Sequence, residues 1–333
     1  MILITGGAGY IGSHLALRLL RENYDVIIYD NLYNSTMLNL NTIVKRVKRQ
    51  SRFYFARGDI RDSDKLERLF RKYAITKVIH LAGLKSVSDS FEEQTLYNSV
   101  NVIGSEIVLK MAFKYDVQTI LFSSTASVYH PLPIGRYNET MAVTGTASYY
   151  SQTKFETEKL LATLKQKDIT IDVVILRYFN PVGTDVSGLL VEERIRANNL
   201  FPAILQSIKN DTYLEIYGDD YLTFDGTAIR DYIHINDLVD VHLLMLKDKV
   251  LSTDMRVFNV GSDTGYSVRE VVDEFNRQLN QPVKYVYRPR RQGDVMSCIA
   301  DITKIKKTFN WKPKYKLEDM VQSTLTCDDM NLL

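Results

Sequence analysis

Short apolar runs and helical patterns alternate through the first half of the chain. The apolar runs predict strands, and the segments between them, with apolar positions on one face, predict helices. The predicted strands cover residues 2–5, 25–29, 53–57, 77–81, 118–123 and 169–176, and the predicted helices cover residues 12–22, 63–73, 100–115 and 150–165. Strands separated by helices indicate parallel βαβ units with right-handed crossovers. We therefore expect an α/β fold built on a doubly wound parallel sheet, which binds ligands at the carboxyl ends of its strands.

The texture of the sequence changes after residue 180. Turn-forming residues become dense, as in the GDD segment at 218–220 and the DG pair at 225–226. A short apolar run at 257–260 has the length of a strand and suits a return to the main sheet. The pattern predicts a large domain over residues 1–180, with a returning segment near 230–262, and a smaller loop-rich lobe over residues 181–333.

Composition and charge narrow the possible functions. The chain has 333 residues, of which 45% are apolar, and this is enough to bury a large core. Its formal net charge is only +2, and its richest basic stretch, residues 45–49, falls in a helical pattern. A nucleic-acid groove needs a larger excess of positive charge. We therefore expect a solvated helix face there and no nucleic-acid partner.

The cysteines and the apolar segments favour a cytoplasmic protein, and the histidines bear on metal binding. Two distant thiols, Cys298 and Cys327, cannot build a disulfide framework, which fits a reducing compartment. The opening segment lacks a basic stretch and has early glycines, so we expect no signal peptide. No apolar stretch reaches about 18 residues, so we expect no membrane span. The five histidines show no paired spacing, and we expect no catalytic metal.

A glycine-rich segment joins the first predicted strand to the first predicted helix. Residues 5–12 read TGGAGYIG, in which Gly6, Gly9 and Gly12 permit a tight turn and close helix packing. Backbone N–H groups at the start of that helix can hold a pyrophosphate. Asp30 follows the second strand, where a carboxylate accepts from ribose hydroxyls and repels a 2′-phosphate. The segment therefore predicts a dinucleotide site that takes NAD rather than NADP.

A second constellation suits proton transfer. Tyr150 and Lys154 stand four residues apart in a helical pattern, so they share one face of the helix. A tyrosine with a pKa of about 10 is a poor base at neutral pH. A neighbouring ammonium and the positive nicotinamide of NAD⁺ stabilise the phenolate and lower that pKa. The end of the fifth strand, SSTASVY at residues 123–129, offers hydroxyls that can orient a substrate.

On these segments the chain resembles the extended short-chain dehydrogenase/reductase family, whose cofactor domain is of the Rossmann type. Within that family it is similar to the UDP-glucose and UDP-N-acetylglucosamine 4-epimerases, over nearly the whole chain. Further matching segments are YDN at 29–31, GDIR at 58–61, HLAGLK at 80–85, RYFNPVG at 177–183, NNL at 198–200, DGT at 225–227, RDYIH at 230–234 and RRQGD at 290–294. The last four belong to a nucleotide-sugar lobe that the wider family does not share.

The resemblance implies reversible C4 epimerisation of UDP-hexoses through a transient 4-keto sugar and tightly bound NAD. It makes Tyr150 the base, Lys154 its activator, and both of them cofactor contacts, and it makes Thr125 the hydroxyl that binds the sugar O4. Besides the glycines and Asp30, the implied cofactor contacts are Tyr10, Ile11, Asn31, Asp59, Ile60, Lys85, Asn101 and Tyr178. The implied substrate contacts are Lys85, Thr125, Asn180, Asn199, Leu200, Arg230, Tyr232, Arg291, Asp294 and Cys298.

Two departures from the family pattern concern single residues. The position of Cys298 lines the sugar pocket in the family, where a bulky Tyr restricts members to UDP-glucose and UDP-galactose and a smaller residue also admits N-acetylated sugars. Cysteine therefore predicts activity on UDP-GlcNAc and UDP-GalNAc as well. His130 stands where most members have Gly, and we assign it no role.

Three alternative functions share parts of this sequence pattern. A nucleotide-sugar 4,6-dehydratase carries an Asp-Glu pair after the strand-five Thr, where this chain has Ala126 and Ser127. The others are a UDP-glucuronate decarboxylase and a non-catalytic dinucleotide sensor, which commonly lacks the Tyr–Lys pair.

The resemblance also implies a homodimer through helices 100–115 and 150–165, where Met111, Phe113, Leu160 and Leu164 lie beyond one core-facing stripe.

Overall fold

The computed structural model describes residues 1–46, 52–132, 134–190, 199–248, 252–279, 281–291 and 293–326. Cys327 and most of the basic stretch at 45–49 lie outside these ranges. The strands are β1 (Ile2–Thr5), β2 (Val26–Asp30), β3 (Phe53–Arg57), β4 (Lys77–His80), β5 (Thr119–Thr125), β6 (Ile134–Tyr137), β7 (Asp172–Tyr178), β8 (Asn180–Val182), β9 (Leu214–Tyr217), β10 (Ile229–His234), β11 (Arg256–Val260), β12 (Gly265–Ser267), β13 (Tyr285–Arg288) and β14 (Ser297–Ala300).

The helices follow in the same chain order. They are α1 (Tyr10–Arg21), α2 (Leu38–Arg46), α3 (Ser63–Lys72), α4 (Val87–Glu92), α5 (Gln94–Tyr97), α6 (Ser105–Lys114), α7 (Tyr149–Lys167), α8 (Leu200–Lys209), α9 (Ile235–Lys247), α10 (Val268–Gln278), α11 (Thr303–Phe309) and α12 (Leu317–Leu325). A π-helix, Asn98–Gly104, precedes α6, and a short 3₁₀ turn, Ala126–Val128, follows β5. No helix among these described residues has the length and apolar character needed to cross a membrane.

The first of two compact units comprises residues 1–130, 142–177 and 239–258. It holds a seven-stranded sheet of order β11-β7-β5-β4-β1-β2-β3. Adjacent strands run parallel, with Ile4 opposite Ile28 on one side and Ile79 on the other. The chain winds outward in opposite directions from β1 and β4, which makes their carboxyl ends a topological switch point. The predicted α/β fold with a doubly wound parallel sheet is confirmed.

The core of this unit explains why its strands were visible in the sequence. Every residue of β1, β2 and β7 is buried, because helices cover both faces of the sheet and the strands need continuous apolar runs. The covering side chains include Leu66 and Phe70 of α3, Leu109 of α6 and Leu161 of α7.

Several predicted boundaries differ from the observed ones by one or two residues, and the two largest differences have local reasons. The strand predicted at 169–176 begins at Asp172, because the carboxylate of Asp168 accepts from the Thr170 backbone N–H at 2.9 Å and closes a turn before it. The helix predicted at 100–115 starts as the π-helix, and its regular part begins at Ser105.

The second unit comprises residues 131–141, 178–238 and 259–333. Its five-stranded sheet has the order β12-β10-β14-β6, with β8 paired to β10, and β9 pairs with β13 in a separate ribbon. Its core lies around Phe201 of α8, Phe275 of α10 and Met320 of α12. Residues 131–141 belong to this unit because β6 pairs with β14. The predicted domain limits at 1–180 and 181–333 stay a prediction.

Candidate active site

The glycine-rich loop folds tightly between β1 and α1. Gly6 has a φ of +69°, and a Cβ there would lie 2.7 Å from the backbone N of Ala82. A Cβ on Gly12 would lie 2.5 Å from the carbonyl oxygen of Gly6. Gly9 is the N-cap residue of α1 and has no side chain that could bond to the first N–H groups of the helix. These N–H groups can therefore receive an anion. Only glycines permit this approach, and the cradle fits the pyrophosphate of NAD.

Asp30 ends β2 beside this loop. Its carboxylate is buried and accepts from the backbone N–H groups of Ala8 at 3.0 Å and Leu32 at 2.8 Å. Desolvation raises the pKa of Asp30, and these hydrogen bonds lower it. The carboxylate therefore braces the loop, and its contact with a ribose stays a prediction.

Three of the implied cofactor contacts, Asn31, Asp59 and Ile60, lie next to one another. The side-chain amide of Asn31 donates to the Asp59 carboxylate at 2.9 Å, and the guanidinium of Arg61 donates to the same carboxylate at 2.7 and 2.8 Å. Hydrogen bonds from Arg61 hold the pKa of Asp59 well below its usual range. Ile60 is buried beside them. Tyr10 and Ile11 are the first two residues of α1.

The π-helix fixes the loop that follows β4. Its buried residue Asn101 accepts from the Leu84 N–H at 2.7 Å and donates to the Leu84 carbonyl at 3.0 Å and to Thr153 at 3.1 Å. π-turns of this kind frequently occur at functional sites. Lys85 comes next in that loop and its side chain is exposed. The cofactor and substrate roles of Lys85 and Asn101 stay predictions.

Tyr150 and Thr125 meet at the start of α7. Ser148 caps this helix by accepting from the Ser151 N–H at 3.1 Å, and this places Tyr150 in its first turn. Desolvation raises the pKa of Tyr150 to about 12, and its hydrogen bond with Thr125 lowers it. The phenol is therefore protonated at neutral pH until positive charge is placed beside it.

Lys154 lies one turn further along the same face of α7. Its Nζ donates to the carbonyl of Ser123 at 2.9 Å and lies 4.9 Å from the centre of the Phe122 ring. Desolvation lowers its pKa to about 8, and the negative charge of Glu158 raises it. A desolvated ammonium favours any anion that forms nearby, including a phenolate on Tyr150.

Glu158 and Arg177 form a buried ion pair that the sequence analysis did not single out. The guanidinium of Arg177 donates to both carboxylate oxygens of Glu158, at 3.1 and 2.7 Å. An acidic residue inside a helical pattern is normally interpreted as a surface charge. The repeat of Tyr150, Lys154 and Glu158 at intervals of four was the available signal.

In the second unit, several of the predicted substrate contacts lie on or beside β10. Arg230 of β10 is directly opposite Cys298 of β14, and its guanidinium donates to the Asp294 carboxylate at 3.0 Å. The side-chain amide of Asn180 donates to the backbone carbonyl of Asp231 at 2.9 Å. Tyr232 is buried two residues further along β10. A guanidinium and a thiol are therefore neighbours across β10 and β14, and the amide of Asn180 lies on the adjoining strand β8.

Arg291 lies over an aromatic ring that the sequence analysis also missed. Its guanidinium carbon is 3.9 Å from the centre of the Tyr217 ring, at the end of β9. Asn199 precedes α8 without capping it through its side chain, and Leu200 is the first residue of that helix. Tyr178 is buried at the end of β7, and His130 is exposed. Tyr217 ends the run LEIY at residues 214–217, and the alternation of apolar and polar residues in this short run was the available signal in the sequence.

These features define a class of enzyme that binds a dinucleotide and moves protons beside it. Residues 2–261 match the NAD dependent epimerase/dehydratase family. The chain belongs to this family. Membership confirms the resemblance stated above, the prediction of an enzyme and the prediction of NAD as its cofactor.

Individual relatives cover nearly the whole chain. The UDP-glucose 4-epimerase of Pasteurella multocida (strain Pm70) is 38% identical over 325 residues, which are 97% of this chain and 96% of the relative. A crystal structure of UDP-glucose 4-epimerase from Bifidobacterium longum in complex with NAD⁺ and UDP has a TM-score of 0.93 and 36% identity, covering 99% and 98% of the two chains. The UDP-Glc/GlcNAc 4-epimerase of Campylobacter jejuni has a TM-score of 0.80 and 30% identity, covering 98% of each chain.

Proposed function

We propose that this protein interconverts UDP-glucose and UDP-galactose by inverting C4 of the hexose. The observation that carries the proposal is the approach of Tyr150 to Thr125, with Lys154 one turn away on the same helix face. The UDP-glucose 4-epimerases similar to this chain support the choice of substrate. The experiment is an assay of purified protein with UDP-galactose and no added cofactor, in which UDP-glucose is expected.

The residues of the first unit have distinct tasks in this reaction. Tyr150 takes the proton of the O4 hydroxyl, and Thr125 binds O4 and holds it in position. The chemistry that bound NAD supplies is reversible storage of the C4 hydrogen with its two electrons. Lys154 stabilises the phenolate of Tyr150 while the base is deprotonated. In the return step Tyr150 gives its proton back to O4 of the 4-keto sugar, so the reaction is redox-neutral.

The second unit is proposed to hold the UDP moiety. The forked guanidinium group of an arginine suits a diphosphate, and Arg230 and Arg291 each supply one such group. The ring of Tyr217 lies under the Arg291 guanidinium and holds it in position by a cation–π contact. Firm binding of UDP lets the sugar turn over while its anchor stays fixed, which inversion of C4 requires.

A dehydratase is the rival reaction within the same family. It needs an additional acid and base after the strand-five Thr. Here the side chain of Thr125 donates to the Ser127 hydroxyl at 3.2 Å, and Ala126 is buried. Neither Ala126 nor Ser127 transfers protons as an Asp-Glu pair does. We therefore expect no dehydrated sugar among the products.

We further propose that the enzyme epimerises UDP-GlcNAc and UDP-GalNAc, because Cys298 leaves room for an acetamido group. Cys298 lies in β14 between Arg230 of β10 and Gly135 of β6. A Cβ on Gly135 would clash with the ring of Tyr137, so this phenol already covers the β6 side of Cys298. A second tyrosine at residue 298 would fill the remaining space. The similarity to the UDP-Glc/GlcNAc 4-epimerase of Campylobacter jejuni supports this proposal.

Cys298→Tyr is expected to abolish turnover of UDP-GlcNAc while turnover of UDP-glucose survives. Overpacking typically costs about 1–3 kcal/mol, and only the N-acetylated sugar needs the filled space. Both activities are measured for the wild type, for this variant and for Cys298→Ser, which keeps the side chain small and should keep both. A wild type inactive on UDP-GlcNAc, or a Cys298→Tyr variant that loses both activities equally, contradicts the proposal.

The protein is proposed to form a homodimer. Met111, Phe113, Leu160 and Leu164, which were expected to contribute, are partly buried against the core of the first unit. Exposed apolar side chains in this part of the chain are instead Val87 (42%) and Phe91 (40%) of α4 and Ile103 (46%) of the π-helix. Light scattering at micromolar protein is expected to give the mass of two chains, and the mass of one chain would count against the dimer.

A further inference from the structure

Three consecutive residues at the end of β5 are each bonded to a different turn of α7. Thr125 bonds Tyr150, and the carbonyl of Ser123 accepts from Lys154 at 2.9 Å. Ser124 donates from its hydroxyl to the Glu158 carboxylate at 2.5 Å. The strand end that carries the O4-binding hydroxyl is therefore joined to the helix at successive intervals of four residues.

Glu158 is itself held from the far side. Its side chain and that of Arg177 are each only 6% exposed, and Arg177 approaches with two parallel hydrogen bonds. The Arg177 guanidinium also lies 4.8 Å from the centre of the Tyr129 ring. A buried ion pair is weak evidence for a stabilising role, because desolvation opposes the attraction of the two charges. Its place beside Lys154 suggests a different use.

We propose that Glu158, held by Arg177, is a positioning residue that fixes the end of β5 and keeps Lys154 in its charged form. The inference rests on the proposed epimerase function. Glu158 lies one turn beyond Lys154, so their side chains are neighbours on α7. Without this negative charge the ammonium would be desolvated with little compensation.

Within the part of the chain that the structure describes, the other groups around Lys154 do not supply a negative charge. His80 of β4 is buried, and desolvation lowers its pKa to about 3, so it is neutral. β5 presents the Ser123 carbonyl and the Phe122 ring. Tyr150 on the same helix is protonated at rest, as its raised pKa requires. Desolvation also raises the pKa of Tyr97 in α5, whose hydroxyl donates to the carbonyl of Ser86.

The sign of the effect follows from the charges. Removing a carboxylate beside an ammonium lowers the pKa of that ammonium. Lys154 in a Glu158→Gln variant should therefore lose its proton at a pH lower by about one unit or more, the order expected for the loss of a neighbouring opposite charge. Epimerisation requires charged Lys154, so the alkaline limb of its pH profile should move in the same direction.

The direct test is NMR titration of ¹³C-labelled lysines, with the Lys154 signal assigned by its absence in Lys154→Met. Glu158→Gln is expected to titrate at lower pH than wild type. The control is Asp172→Asn, which breaks the buried pair with Arg256 at the other end of β7 and should leave Lys154 unmoved. This readout does not depend on the reaction catalysed, so it fails separately from the proposed function.

Two more variants separate positioning from folding. Glu158→Gln with Arg177→Met removes the uncompensated guanidinium, so the melting temperature should recover while the shifted titration and about a 10-fold lower kcat persist. Ser124→Ala should lower kcat several-fold without moving the alkaline limb, because the charge of Glu158 remains. An unmoved Lys154 titration in Glu158→Gln, or full recovery of kcat in the double variant, would overturn the proposal.

Discussion

Tyr150→Phe is expected to lower the turnover of UDP-glucose at least about 10²-fold, the lower end of what a general base contributes. The substitution removes only the hydroxyl that takes the O4 proton, and the ring that fills the start of α7 remains. UDP affinity should change little, because the arginines proposed to bind the diphosphate belong to the second unit. Steady-state kinetics and calorimetric titration with UDP measure the two quantities.

The matched control for this prediction is Tyr149→Phe. Tyr149 is the preceding residue of α7 and has no part in the proposed chemistry, so its variant should retain turnover. The pH dependence gives a further check. Desolvation raises the pKa of Tyr150 to about 12, so activity should rise with pH through the pKa that the phenol has in the complex. Near-normal turnover of Tyr150→Phe would contradict its assignment as the base.

Gly6→Ala is expected to yield protein that purifies without NAD and has at most about a tenth of wild-type activity. The left-handed backbone at Gly6 costs an alanine about 1–2 kcal/mol. The new Cβ would also press on the backbone of Ala82, and such overpacking adds about 1–3 kcal/mol. Because the new Cβ would meet backbone atoms of Ala82, just after β4, the glycine-rich loop must move. The pyrophosphate cradle is then lost. Bound NAD is measured after denaturing the purified protein.

Gly188→Ala separates the clash from the backbone strain. Gly188 has a φ of +66°, close to that of Gly6, but no atom lies within 4 Å of its added Cβ. Its variant should lose only about 1–2 kcal/mol of unfolding free energy and should keep its NAD. A Gly6→Ala protein that retains stoichiometric NAD would show that the loop does not hold the pyrophosphate.

The strands of the first unit could be predicted because each needs only its own apolar run. β1 and β2 are buried on both faces, so their residues carry the signal locally. The second unit depends on pairings between distant segments, such as β6 with β14, in which Gly135 lies opposite Cys298. Strands of four residues that alternate in burial, such as β9, carry too little pattern to be recognised alone.

The candidate site divides in the same way. Tyr150 and Lys154 could be predicted from their spacing, and Gly6 and Asp30 from their places beside predicted strands. Glu158 could not, because its role depends on Arg177, which lies on another element and reaches it only in the folded chain. Tyr217 likewise becomes informative only when Arg291 lies over its ring.

In the proposed reaction C4 is inverted by removing and returning the same hydrogen within one protein. The decisive measurement uses UDP-glucose that carries deuterium at C4, incubated in ordinary water with desalted protein and no added cofactor. We expect UDP-galactose that retains deuterium at C4. Absence of UDP-galactose, or a product that has exchanged its C4 deuterium for solvent hydrogen, would contradict it.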